Sequence, residues 1–163
     1  SDGSSAKLSK QELCEQYWTA ASERWKGKVG NMKMAKVRPW NWLGFRVGNK
    51  GFNYYTWLNS KQRWIAVGFS TTGRNNKDSF RKLKGRVAQI EAVLGSPLVW
   101  EEDPGATWTN VSMFSRDTDP ARESEWEDQH EWLLQNLIAL EQAVRPHLEL
   151  LAANSEEALG EGE

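Results

Sequence analysis

The side chains most able to act together lie between Arg24 and Arg86. Nine Lys and seven Arg stand there against one acid, Asp78. Such a density of cation attracts a polyanion, because each phosphate neutralised releases condensed counterions and ties affinity to salt. Interleaved with the cations are Trp40, Trp42, Tyr54, Tyr55, Trp57 and Trp64. Aromatic rings on an open sheet face stack on bases, each for about 1 to 3 kcal/mol. The residues expected to meet phosphates are Lys33, Lys36, Arg38, Arg46, Arg63, Arg74, Lys77 and Arg81, with Trp40 and Trp42 for stacking. A competing reading places Trp42, Trp57 and Trp64 in the core and pairs the cations with the acidic second half of the chain.

Catalytic patterns are missing from the chain. It holds no G-x-G-x-x-G, Walker A, G-x-S-x-G or H-E-x-x-H motif, and His130-Glu131 is followed by Leu134 where a second metal-binding His would stand. Cys14 falls on the apolar side of a helical pattern, which reads as a buried thiol rather than a nucleophile. A restriction-type nuclease needs clustered carboxylates and a nearby lysine around a metal-bound water. Here no lysine follows Lys84, whereas most carboxylates lie beyond residue 100. Asp117, Asp119, Glu123, Glu125, Glu127 and Asp128 lack the glycine and spacing of a calcium loop and suit a solvated helix start instead. His130 and His147 read as structural histidines. The expectation is no enzyme, no cofactor and no metal.

Stepping along the chain, Ser9 with Glu12 forms a capping-box pattern, and Leu13, Cys14, Tyr17, Trp18, Ala21 and Trp25 recur at helical spacing. A first helix from Lys10 to Trp25 is predicted, followed by a loosely ordered connector from Lys26 to Arg38. Three strands follow, Trp40 to Val47, Phe52 to Leu58 and Arg63 to Phe69, joined by short turn-forming links as in an antiparallel meander. In the third, Arg63, Ile65, Val67 and Phe69 share one face. A second helix runs from Asn75 or Asn76 to Leu94, where Gly95-Ser96-Pro97 ends it, and its amino end offers a place for a phosphate. Leu98 to Glu101 and Thr107 to Phe114 bracket the turn signal Asp103-Pro104-Gly105. The last helix carries a stripe from Trp126 to Val144, and Pro146 kinks it or ends it.

A chain of 163 residues is long enough to bury a core without disulfides or structural metal. Its one Cys fits a reducing compartment, and no apolar run reaches the roughly 20 residues of a membrane span. The formal net charge of -1 conceals a polarity: eighteen Lys and Arg stand against six acids up to residue 100, and three against sixteen beyond it. Ten Trp in a mostly polar chain imply that some rings are buried and others displayed.

The run Asp78-Ser79-Phe80, then Leu83, Ile90-Glu91, Leu94-Gly95 and Leu98-Val99-Trp100-Glu101, resembles the core of the prokaryotic domain-of-unknown-function family 4268. Glu125-Trp126 and Trp132-Leu133 before Pro146 are similar to its C-terminal helix, and Tyr17-Trp18 falls in the first helix. The likeness spans Glu12 to Leu151. It implies a setting behind a restriction-endonuclease-like domain or as a stand-alone protein, in nucleic-acid processing or phage defence, and carries no catalytic residues over.

The resulting expectation is α+β, an antiparallel sheet of about five strands with three helices in the order α-β-β-β-α-β-β-α. Residues 9–153 form one domain, 1–8 a flexible leader and 154–163 an acidic disordered tail. The expected role is a non-catalytic cytoplasmic module that binds nucleic acid, DNA and RNA alike remaining open, beside a partner nuclease. Two alternatives stand: a protein-interaction or homodimerisation module, and a small-ligand sensor.

Overall fold

The first helix, α1 (Lys10–Trp25), starts where the sequence places it because its exposed amide groups find partners at once. The Ser9 hydroxyl accepts from the Glu12 amide at 3.1 Å and the Glu12 carboxylate accepts from the Ser9 amide at 3.2 Å. Its apolar stripe, from Leu13 to Trp25, is buried, and Gly27 at φ 73 turns the chain away. The computed structural model describes residues 8–102 and 108–151. The expected turn at Asp103-Pro104-Gly105, the acidic tail and all of the leader except Leu8 therefore lie outside the described residues.

Six antiparallel strands form one sheet: β1 (Lys33–Met34), β2 (Trp42–Arg46), β3 (Phe52–Asn59), β4 (Trp64–Thr71), β5 (Val99–Glu102) and β6 (Thr109–Arg116), in the spatial order β1-β2-β3-β4-β6-β5. The period-2 pattern of β3 sets its two faces. Phe52, Tyr54, Thr56 and Leu58 are buried, whereas Asn53, Tyr55, Trp57 and Asn59 are half-buried on the other side. Register carries this division across the sheet: Phe45, Tyr54, Phe69, Val111 and Trp100 line up on the buried face, and Trp42, Trp57, Ala66 and Phe114 on the other.

Four α-helices complete the fold: α1, α2 (Asn76–Lys84), α3 (Val87–Leu94) and α4 (Trp126–Val144). Helix α4 lies on β3 and β4, α2 on β4 and β6, and α1 and α3 flank α4. Ring contacts fix the side: Trp25 of α1 meets Phe45 at 5.9 Å, and Phe80 of α2 meets Trp100 at 5.6 Å. Both partners belong to the buried face. Among the described residues no helix packs on the face of Trp42, Tyr55 and Trp57. The molecule is thus a two-layer α+β arrangement with helices on one side of the sheet.

Several expectations change. The connector Lys26 to Arg38 contains the edge strand β1, whose two residues pair Lys33 with Arg46 and Met34 with Phe45. The single helix expected from Asn75 to Leu94 is two helices. Gly85 and Arg86 interrupt it, and the Arg86 amide donates to the Leu83 carbonyl at 2.9 Å, the tighter spacing of a last helical turn. Among the described residues the counts are therefore six strands and four helices rather than five and three. Arg63 does not share a strand face with Ile65, because it sits in the preceding turn at φ 57. Pro146 lies in a 3-10 turn, Arg145–His147, that ends α4.

Candidate nucleic-acid interface

The uncovered sheet face carries a chain of touching rings. Trp40 and Trp42 lie 4.7 Å apart between centroids, Trp42 meets Tyr55 edge-on at 5.5 Å, and Tyr55 stacks on Trp57 at 5.6 Å with 23° between planes. Two glycines make room beneath them. A Cβ at Gly44 would approach the Tyr55 ring to 3.3 Å, and one at Gly68 would approach the Trp57 ring to 2.6 Å. Since Gly44, Tyr55 and Gly68 are register partners across β2, β3 and β4, the rings lie down over a floor without side chains. Trp64 and Phe114 extend the aromatic surface at 4.9 Å, with the Arg116 guanidinium 4.5 Å over the Phe114 ring.

Trp40 is 46% exposed, and Trp42, Tyr55, Trp57, Trp64 and Phe114 are half-buried. The reading that puts Trp42, Trp57 and Trp64 inside the core is therefore corrected: the buried indoles are Trp18, Trp25 and Trp126. Tyr54, grouped with the surface rings by sequence, is fully buried on the helix side. Its neighbour in sequence alternates to the opposite face, which is why Tyr55 belongs to the ring chain.

Cations border the rings. Lys33 and Arg46 are cross-strand partners on the ring-bearing face, both exposed. Lys36 and Arg38 follow on the edge segment alongside β2, held by the Ala35 amide donating to the Gly44 carbonyl at 2.9 Å, and both are exposed. Arg63 lies at the opposite end of the sheet, in the β3–β4 turn, where its carbonyl accepts from the Thr118 amide at 3.0 Å. None of Lys33, Lys36, Arg38, Arg46, Arg63 and Arg74 forms an ion pair with another described residue. Three acids of the second half pair locally, Asp119 and Glu125 with Arg122 and Glu141 with Arg145, and no described acid pairs with these six cations. Glu101 is the sole acid among the described strand positions of the ring-bearing face.

The remaining predicted residues stand apart. Lys77 and Arg81 are on α2, which packs against the helix-covered face, and Arg74 is in the loop leading to it. Arg81 reaches Glu102 at 3.7 Å. Asn75, expected to open a phosphate cradle, makes no cap with its side chain. The eight cations named from sequence thus divide between two surfaces. Sequence reasoning noted Tyr55, Trp57 and Trp64 without choosing them, and missed Phe114 and Arg116. The strict alternation of β3 already puts Tyr55 and Trp57 on one side; only the β4–β6 register brings Phe114 and Arg116 beside Trp64.

His130, the other residue with possible chemistry, is buried among Tyr17, Trp25 and Trp126. The Arg24 guanidinium donates to Nδ1 at 2.8 Å, so that nitrogen carries no proton and the ring is the Nε2–H tautomer. Burial, and then the Arg24 charge, lower its pKa to about 3. It holds a neutral structural place: the Trp25 indole donates to its carbonyl at 3.0 Å. Burial likewise raises the pKa of the Cys14 thiol. Among the described residues no three His, Cys, Asp or Glu side chains gather as a metal site would require, and no helix is long and apolar enough to cross a membrane.

Beside Trp40 the sheet rim opens into a cleft of about 460 Å³ between α1 and the ends of β2 and β3, lined by Lys10, Cys14, Asn41, Trp42 and Asn59 among others. The Trp18 indole donates to the Trp40 carbonyl at 2.9 Å and pins this rim to α1. In comparison with known proteins, the family model described as "Domain of unknown function (DUF4268)" matches residues 13–148. No curated protein matches the chain.

Proposed function

The chain belongs to the DUF4268 family, and we propose that this member is a non-catalytic module whose open sheet face binds single-stranded nucleic acid. The observation that carries the reading is the chain of rings from Trp40 to Trp57, lying on a face no described helix covers, beside the paired cations Lys33 and Arg46. Like charges directly opposite across a strand pair repel. A phosphate between Lys33 and Arg46 relieves that repulsion, while successive bases lie on Trp42, Tyr55 and Trp57. A duplex keeps its bases stacked on one another, so the rings favour a single strand. Lys36 and Arg38 line the path of the backbone beyond the sheet edge. In this role the domain holds a strand for a partner nuclease in prokaryotic defence, in the cytoplasm, where Cys14 stays reduced.

The test is binding of a ten-nucleotide thymidine strand, in deoxy and ribo forms, against a duplex of equal length. At about 50 mM salt the single strands bind, and log affinity falls with log salt by about 0.7 per phosphate neutralised. Arg46→Glu lowers both the affinity and that slope, and Trp57→Ala costs about 1 to 3 kcal/mol. Absence of any single-strand binding at that salt, with the protein folded, refutes the reading. A mass that grows with concentration in light scattering, with occluded rings, would point to a second copy on this face instead.

A further inference from the structure

The cleft beside Trp40 adjoins a second of about 490 Å³, and the two share Lys10 and Ser60. Both volumes fall in the range of roughly 300 to 1,000 Å³ typical of small-ligand sites. Their linings differ in chemistry. The first has two indoles, Trp40 and Trp42, with the amides of Asn41 and Asn59 beside them. The Asn59 carbonyl oxygen already accepts from the Gln62 amide at 2.8 Å, which leaves its NH₂ as a donor. Asn41, exposed and held in place by its own carbonyl accepting from the Leu58 amide at 2.9 Å, offers a donor and an acceptor. An aromatic wall with amide groups at its edge is what a nucleobase requires.

The second cleft carries Lys10, Lys61 and Arg63, exposed cations that form no ion pair with a described residue. Its one carboxylate, Asp119, is engaged: Arg122 lies at 3.9 Å and the Ala121 amide donates to it at 2.9 Å. Three cations thus border a cleft whose one acid is paired elsewhere, a lining suited to an anion, and the Arg63 backbone is set by a turn in the left-handed region. An internal nucleotide of a strand needs no third cation on one phosphate. A terminal phosphate carries up to twice that charge and gains more from the additional cations.

We propose that the two adjoining clefts form one site for a nucleoside monophosphate, free or as the phosphorylated end of a strand, with the base against Trp40 and Trp42 and the phosphate on Lys10, Lys61 and Arg63. The choice of a nucleotide as ligand rests on the reading of the open face, since Trp40 and Trp42 belong to both. The strand's end is anchored in the clefts and its body runs over Tyr55 and Trp57.

Calorimetric titration of the full chain with thymidine decamers bearing hydroxyl ends, a 5′-phosphate or a 3′-phosphate, and with thymidine and its two monophosphates, tests this. One phosphorylated end binds about tenfold more tightly than the hydroxyl-ended strand, the effect of one charge-assisted hydrogen bond. In Lys61→Glu/Arg63→Gln that ratio falls to near one, whereas Arg46→Glu weakens all decamers and keeps the ratio. Equal affinity for all three decamers, or a ratio that survives the double substitution, overturns the clefts' role and leaves the open-face reading standing. If the decamers fail to bind while a monophosphate binds and thymidine does not, the open-face reading falls and the cleft site stands as one for a free nucleotide. If nothing binds, both fall.

Discussion

Gly68→Ala probes the floor on which the ring chain rests. A Cβ at this position would lie 2.0 Å from the Val111 carbonyl oxygen and 2.6 Å from the Trp57 ring. Even close C–H···O contacts in sheets hold carbon and oxygen about 3.3 Å apart, so the shortfall exceeds an ångström. The Trp57 ring has an exposed side and can swing outward. The Val111 carbonyl cannot, because it belongs to β6 and is paired with β4 at Phe69. Relief requires the two central strands to separate and weaken their ladder. Overpacking costs about 1 to 3 kcal/mol where side chains can adjust, and more where backbone must move; about 3 kcal/mol is expected here. For a chain of this length that lowers Tm by about 6 to 12 °C. Gly68 does not have positive φ, so the penalty is steric and not conformational. Gly44→Ala is the control, since its Cβ meets ring atoms and no backbone, Tyr55 at 3.3 Å and Trp42 at 3.7 Å, and it should cost under about 1 kcal/mol. Urea unfolding followed by tryptophan fluorescence, with calorimetry for Tm, measures both. A Gly68→Ala protein within about 0.5 kcal/mol of the parent, or no worse than Gly44→Ala, would refute this account of how the rings are seated.

Three further outcomes are expected. His130 has a folded-state pKa near 3 against 6.5 for the unfolded chain, so the unfolded state takes up the proton first. Stability is therefore unaffected by His130 above pH 6.5 and falls as pH drops below it toward 3, with a slope of at most about 1.4 kcal/mol per pH unit; His130→Gln should flatten that slope between pH 6.5 and 5 in pH-dependent urea titrations. Tyr54→Phe removes a buried hydroxyl without a hydrogen-bond partner and should change stability by under about 0.5 kcal/mol, whereas Tyr17→Phe strands the Gln129 oxygen that its hydroxyl reaches at 3.0 Å and should cost about 1 to 3 kcal/mol. Trp18→Phe removes the bond from the indole to the Trp40 carbonyl at 2.9 Å and shrinks a fully buried ring; a stability loss of about 2 to 4 kcal/mol should accompany weaker binding of the decamer, because Trp40 is no longer held.

Where an element is governed by neighbours in sequence, the chain is legible without its fold. Helix α1 runs from Lys10 to Trp25 as its capping box and apolar spacing predict. The alternation within β3 separates Phe52, Tyr54, Thr56 and Leu58 from Tyr55 and Trp57 without reference to any other strand. The α+β class follows from strands joined by short links, and the charge polarity is a matter of counting. The break between α2 and α3 is less legible, because Leu83, Val87, Ile90 and Leu94 keep a helical step straight through Gly85.

Other features depend on partners far along the chain, and only the tertiary structure decides them. Two residues cannot declare themselves a strand, so β1 exists only through Arg46 and Phe45 on β2. Which face of the sheet the helices cover is set by how α4 and α2 lie on it, and that decides that Trp18 and Trp25 are core while Trp42 and Trp57 stay half-exposed. The eight cations look like one patch in sequence. Folding puts Lys33, Lys36, Arg38 and Arg46 along one edge and sends Lys77 and Arg81 to a helix on the other side of the sheet. The reason is physical: a side chain's type and local period are carried by its own segment, whereas its neighbours and its access to water are properties of the packed whole.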